Sequence, residues 1–152
     1  MTKHINLIFI ASFVLVGLFI SCSDEEVPNP IEQYVGDYQV ERHWATYFER
    51  HDGGTDTLRG QTDFSLTVTL DENNSDQLIL SGIIYTPITG VVDAENEHTF
   101  TLSYFGGIDG PNINGECRFV SDSVYLDYSS GSYTSASNLS SRSVFFGAGV
   151  RQ

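Results

Sequence analysis

The feature that most constrains this chain is a two-residue period of apolar side chains that recurs beyond residue 36. Phe64, Leu66, Val68 and Leu70 alternate with Ser65, Thr67 and Thr69. Phe100, Leu102 and Tyr104 alternate with Thr99, Thr101 and Ser103, and Val124, Leu126 and Tyr128 with Ser123, Tyr125 and Asp127. Successive side chains of a strand point to opposite faces, so such runs bury one face and wet the other. No stretch there sustains the 3.6-residue period with which a helix buries a stripe. Less regular runs predict strands over residues 37–48, 77–85, 113–120 and 143–150, and a short one at 90–93 completes a set of eight.

Turn chemistry falls between these runs. His51-Asp52-Gly53-Gly54, the polar corners at 71–76 and 93–97, and the glycine-rich loop 106–112 all punctuate the pattern. Residues 129–141 are rich in serine and carry no period from which structure follows. Strands joined in sequence by turns predict an all-β antiparallel meander, closed as an eight-stranded barrel or folded as a β-sandwich. Closure removes the edges that a β protein must otherwise protect. The 152 residues make room for one such domain, over 34–152.

The first twenty-one residues are of another kind. A short basic start, Met1-Thr2-Lys3-His4, precedes an apolar stretch from Leu7 to Ile20 and then Ser21-Cys22. The apolar run falls short of the about 20 residues that span a bilayer, and reads as a signal peptide over 1–21. Leu18-Phe19-Ile20-Ser21-Cys22 resembles the lipobox of bacterial lipoproteins. The resemblance implies lipidation of the Cys22 thiol and cleavage before it, hence a membrane partner reached through an N-terminal lipid anchor. Phe19 is similar to what signals of Bacteroidetes lipoproteins carry at that place. Ser23-Asp24-Glu25-Glu26 resembles the acidic run that directs such lipoproteins to the outer face of the outer membrane. Residues 22–33, charged and containing Pro28 and Pro30, read as a tether.

Charge and cysteine count narrow the partners. The formal net charge is −13, and losing Lys3 with the signal peptide makes it −14, six arginines against twenty acidic residues. No basic patch remains to neutralise phosphates, which predicts that nucleic acid is not a partner. With Cys22 assigned to lipid, Cys117 has no intramolecular partner. Its parity with Ile113 and Phe119 predicts a buried, inert thiol.

Residues 30–38 carry a more particular hint. One apolar helical turn (Ile31 to Tyr34) and then Gly36-Asp37-Tyr38 opening a strand are similar to the start of lipocalin-like (calycin) barrels. In that family a short helix plugs the barrel bottom before a Gly-x-Trp motif; here Tyr38 stands in place of the tryptophan. Calycins also pack a last-strand arginine across that ring, and Arg142, on one face with Val144 and Phe146, is the residue to which the resemblance points.

Catalytic signals are absent from the pattern. His43 and His51 lack ligand spacing for zinc and read as exposed polar residues. Asp71, Asn73 and Ser75 alternate as in a calcium loop, but position six holds Asp76 where that loop needs glycine, so an acidic turn is the better reading. No nucleophile elbow, zincin helix or P-loop occurs. The expectation is no enzyme, no metal and no cofactor.

The first strand points to binding. Tyr38, Val40, Arg42, Trp44, Thr46 and Phe48 share one face, so a barrel places the Arg42 charge inside, where charges need partners. Arg42, Trp44 and Tyr104 are the candidate ligand-binding residues, for a small amphipathic molecule or a sugar stacked on the rings. In the competing reading Arg42 pairs with an acidic residue, and Trp44, Phe64, Phe100 and Phe146 fill the barrel and leave no room. Asp56-Thr57-Leu58 and Asp122-Ser123-Val124 resemble the tripeptides that Bacteroidetes glycosylate, which implies glycans on Thr57 and Ser123. Three functions stay open: a binding module for a small molecule, glycan or protein; a structural envelope lipoprotein with a filled barrel; and a calycin-type inhibitor acting through its loops.

Overall fold

The structure, a computed structural model, describes residues 29–50, 52–93, 95–107, 110–134 and 139–152. Cys22, the lipobox and the acidic run after it lie outside the described residues. A single 3-10 turn, Glu32–Tyr34, leads into eight strands: β1 (Gly36–Glu49), β2 (Thr55–Asp71), β3 (Asn74–Ser81), β4 (Ile88–Asp93), β5 (Asn96–Phe105), β6 (Asn112–Val120), β7 (Ser123–Thr134) and β8 (Leu139–Arg151). Each pairs antiparallel with its neighbours in sequence, and β8 pairs with β1 to close a barrel. The closed meander settles the choice between barrel and sandwich.

The barrel is lopsided. Ladders on the β2-β1-β8-β7 side are long: β1 pairs with β2 from Gly36↔Val68 to Glu49↔Thr55, and β7 with β8 from Ser123↔Val150 to Thr134↔Leu139. On the other side β3 meets β4 only from Gln77↔Val91 to Leu80↔Ile88. The long strands therefore project past the core, and their projecting ends mix polar residues with the exposed Tyr47, Phe48 and Leu58. Thus the serine-rich stretch is not structureless: β7 runs to Thr134 and β8 begins at Leu139, with Ser130↔Ser143 and Ser132↔Ser141 paired across them.

Alternation delivers the core as expected. Val40, Leu66, Val68, Leu78, Leu80, Phe100, Leu102, Ile113, Val124 and Leu126 turn inward and are buried. Burying a side chain of this size contributes about 1.5–3 kcal/mol. Cys117 is fully buried among them, and burial pushes its thiol far above the ordinary range. The interior is tight against β8, where a Cβ on Gly149 would stand 2.6 Å from Val40 Cγ2 and 2.7 Å from the Gln39 carbonyl oxygen.

One end is sealed by rings. Ile31 and Tyr34 of the 3-10 turn are buried there. Tyr34 stacks on Phe119 at 4.7 Å between centroids and meets Phe100 edge-on at 5.6 Å, while Tyr38 tilts against Phe119 at 5.7 Å. The Tyr38 hydroxyl donates to the Tyr34 carbonyl (2.8 Å) and accepts from Arg151 Nη2 (3.0 Å). The Arg151 guanidinium lies 5.5 Å from the Tyr38 ring centroid and also donates to the Gln33 carbonyl. The last-strand arginine over this ring is thus Arg151 and not Arg142. Arg142 shares its face with Val144 and Phe146 as expected, but that face is the outer one, and Phe146 is 55% exposed.

Candidate functional site

The open end holds the inward-facing cation. Arg42 is one alternation step above Val40, where β1 leaves the packed core, and its side chain is half-buried. Nη1 donates to the Tyr128 hydroxyl (2.9 Å) and, at longer range, to the Ile83 carbonyl (3.4 Å). The guanidinium carbon lies 4.9 Å from the Phe64 ring centroid and 5.3 Å from that of Phe145. Phe145 in turn stacks on Tyr128 at 4.6 Å and 11°. Ring faces carry negative quadrupole charge and hold a cation there without neutralising it.

The expected carboxylate partner is missing. Among the described residues no acidic side chain stands within ion-pair distance of Arg42, and its buried Nε has no hydrogen-bond partner. A hydroxyl, a carbonyl and two rings take the place of the acid. Burial raises the Tyr128 pKa, and the bond and charge from Arg42 offset part of that rise. The phenol therefore stays protonated at neutral pH.

Arg42 borders an open cleft of about 680 Å³ whose wall includes Ile83, Ile84, Tyr85, Tyr104 and Pro111. The β3–β4 and β5–β6 loops supply most of this wall. Gly82 makes the first loop possible: its φ is +110°, and a Cβ there would stand 2.2 Å from the Ser65 carbonyl oxygen. Tyr85 stands fully exposed on the rim, and Tyr104 is half-buried.

The sequence-predicted residues separate in an informative way. Arg42 and Tyr104 come together in the wall of one cleft. Trp44, on the same face of β1, is not in that wall; its indole covers Gly60, where a Cβ would stand 2.5 Å from the ring. The competing core list also divides. Phe100 is buried, Phe64 and Trp44 are half-buried, and Phe146 lies outside. Thr57 is exposed on β2, and Ser123, half-buried, opens β7. Sequence reasoning missed Ile83, Tyr85, Tyr128 and Phe145, which only the barrel closure brings beside Arg42.

The other candidates for chemistry have local roles. His43 Nε2 lies 2.9 Å from Glu41 Oε1 on the exposed outer face; His51 lies outside the described residues. Asp71 accepts from Asn73 N–H (2.9 Å) and Asn74 Nδ2 (3.1 Å), so its carboxylate folds the β2–β3 turn and titrates below its usual range. Among the described residues no three His, Cys, Asp or Glu side chains converge as a metal site would require.

No family model matches the chain, and no curated protein matches it in sequence. Among solved structures it is similar to a Bacteroides ovatus protein described as structural genomics, unknown function, with 13% sequence identity and a TM-score of 0.41. The match covers 78% of this chain and 42% of that one, so this chain spans less than half the length of that protein.

Proposed function

We propose that this is a lipid-anchored envelope protein with a lipocalin-like barrel, a binding module whose mouth takes a small amphipathic molecule bearing an anionic head. One observation carries the reading: Arg42 lines the mouth cleft with no carboxylate counterion, and its buried Nε has no hydrogen-bond partner. A half-buried cation held only by neutral groups is open to an anion, because charge-assisted hydrogen bonds are stronger than those it now makes. The apolar wall of Ile83, Ile84 and Pro111 suits the rest of such a ligand.

Packing limits where the ligand lies. The lower barrel is occupied by Tyr34, Tyr38, Phe100 and Phe119, so the tail rests across the mouth and does not run down the axis. That filled half also favours the second reading, a structural envelope protein without a ligand. The anchor reading rests on residues 18–22 and on the acidic run 23–26, which give an address at the outer-membrane surface. The described chain enters beside the sealed end, where Asn29 bonds the Ser75 carbonyl, so a lipid on Cys22 leaves the mouth at the far end.

Amide chemical shifts followed by NMR during titration with dodecanoate, and separately with dodecanol, test the binding. Saturable shifts confined to residues 42, 82–86 and 104 with dodecanoate support a mouth site. Shifts scattered over the outer wall, or none with either compound, favour the structural reading. Metabolic labelling with a palmitate analogue tests the anchor; a Cys22→Ala variant that still takes up label removes it.

A further inference from the structure

We infer that two copies of this chain pair through the free edge of β2, antiparallel about a two-fold axis at Gln61, with Arg59 of each copy against Asp63 of the other. Beyond the cleft, this edge is the longest run among the described residues in which a strand of the barrel lacks a neighbour on one side. β3 covers β2 only from Asp71↔Asn74 to Thr67↔Ser81, whereas β1 covers it down to Thr55. Among the described residues nothing else pairs with 55–65.

Backbone direction follows from the ladder. Arg50 N–H donates to the Gly54 carbonyl (2.8 Å), which marks that pair as bonded and assigns even-numbered β2 residues to β1. Odd-numbered residues turn their N–H and C=O outward, as the Ser65 carbonyl shows by facing Gly82. An exposed row of this kind is a template for another strand. Neither proline nor a bulge interrupts it between 55 and 65.

Charge selects both the partner and the register. Across β1, Asp63 faces Glu41, a like-charge pair, and Arg59 faces Ala45. Among the described residues neither Arg59 nor Asp63 has an ion-pair partner. Two-fold pairing keeps faces matched only when a residue lies opposite its own copy. Centred on Arg59, the pairing opposes two arginines. Centred on Gln61, it sets Arg59 opposite Asp63 twice, relieves the Glu41 repulsion, and bonds the outward groups of 59, 61 and 63. Opposite charges directly across a ladder contribute about 0.2–1 kcal/mol each. The Gly82 turn against Ser65 then caps the paired stretch at each end.

Cross-linking in membranes of cells producing the full chain tests this pairing, with a short bismaleimide and single cysteines at 61 or 57. Wild type sets the background, which is low if Cys22 carries lipid and Cys117 is buried. Gln61→Cys places two thiols about 5.5 Å apart by Cα and gives a covalent dimer. Thr57→Cys, far from the axis, stays at background. Adding Arg59→Asp to Gln61→Cys lowers the dimer several-fold, and adding Asp63→Arg as well restores it. Equal cross-linking at 57 and 61, none above wild type, or a charge exchange that fails to restore the dimer overturns the proposal.

Discussion

Replacing Tyr38 by Phe removes one oxygen and leaves the ring, which isolates the hydroxyl that locks the sealed end. That hydroxyl donates to the Tyr34 carbonyl at 2.8 Å and accepts from Arg151 Nη2 at 3.0 Å. The ring remains, so packing against Phe119 and the stacked guanidinium persist. An unsatisfied buried carbonyl costs about 1–3 kcal/mol, and a hydrogen bond from a charged donor contributes about 1.5–3 kcal/mol. Arg151 is half-exposed and keeps its bond to Gln33, so water and that carbonyl recover part of the second loss. The expected total is about 2–4 kcal/mol. At about 4 °C per kcal/mol for a domain of this size, the midpoint falls by about 8–16 °C. Guanidinium unfolding followed by far-UV circular dichroism measures it, with an unchanged m-value as the two-state check. Tyr47→Phe, on a ring exposed at the far end of β1, stays within about 0.5 kcal/mol of wild type. A loss below about 0.5 kcal/mol for Tyr38→Phe refutes the lock.

Two more tests follow from the core. Burial raises the pKa of Cys117, so the folded state holds its proton more tightly than the unfolded state does. Stability is fully present below the unfolded thiol value, near 9.0, and falls as pH rises above it. Tyr34, Tyr38 and Tyr128 are raised in the same sense from 10.0, so they extend the decline above that pH. Cys117→Val moves the alkaline onset upward, toward the tyrosine range, in melts taken from pH 7 to 11; an onset that does not move contradicts the thiol's role. Gly149→Ala inserts a methyl between Val40 and the Gln39 carbonyl and costs about 1–3 kcal/mol in the same denaturant assay, where a neutral result means that β8 can shift outward.

The strands were legible wherever the core makes one face apolar. β5 and the first half of β7 alternate cleanly because both ends of each period meet the same interior. The start of β2, residues 55–63, was not legible, since only β1 pairs with it and no core imposes a pattern there. The serine-rich ends of β7 and β8 were missed for the same reason. In β8 the pattern inverted: the inner face carries Gly147, Gly149 and Arg151, while Val144, Phe146, Ala148 and Val150 lie outside. Close packing against Val40 requires those glycines, so the apolar row indicated the wrong face and Arg142 took the place of Arg151. Arg42 was legible as a cation on an apolar face. Its partners were not, because Ile83, Tyr128 and Phe145 reach it only through strand closure, and rings and a hydroxyl replaced the expected acid.

Calorimetric titration of the protein and its Arg42→Met variant with dodecanoate and dodecanol tests the central claim most directly. Removing a charge-assisted contact worth about 1.5–3 kcal/mol converts to roughly tenfold to hundredfold in affinity. The account predicts that wild type binds dodecanoate at least tenfold more tightly than dodecanol, and that Arg42→Met, less stable for losing its bond to Tyr128 but still folded by far-UV circular dichroism at the titration temperature, binds the two equally. Equal affinities in wild type, or a preference for dodecanoate that survives Arg42→Met, would contradict it.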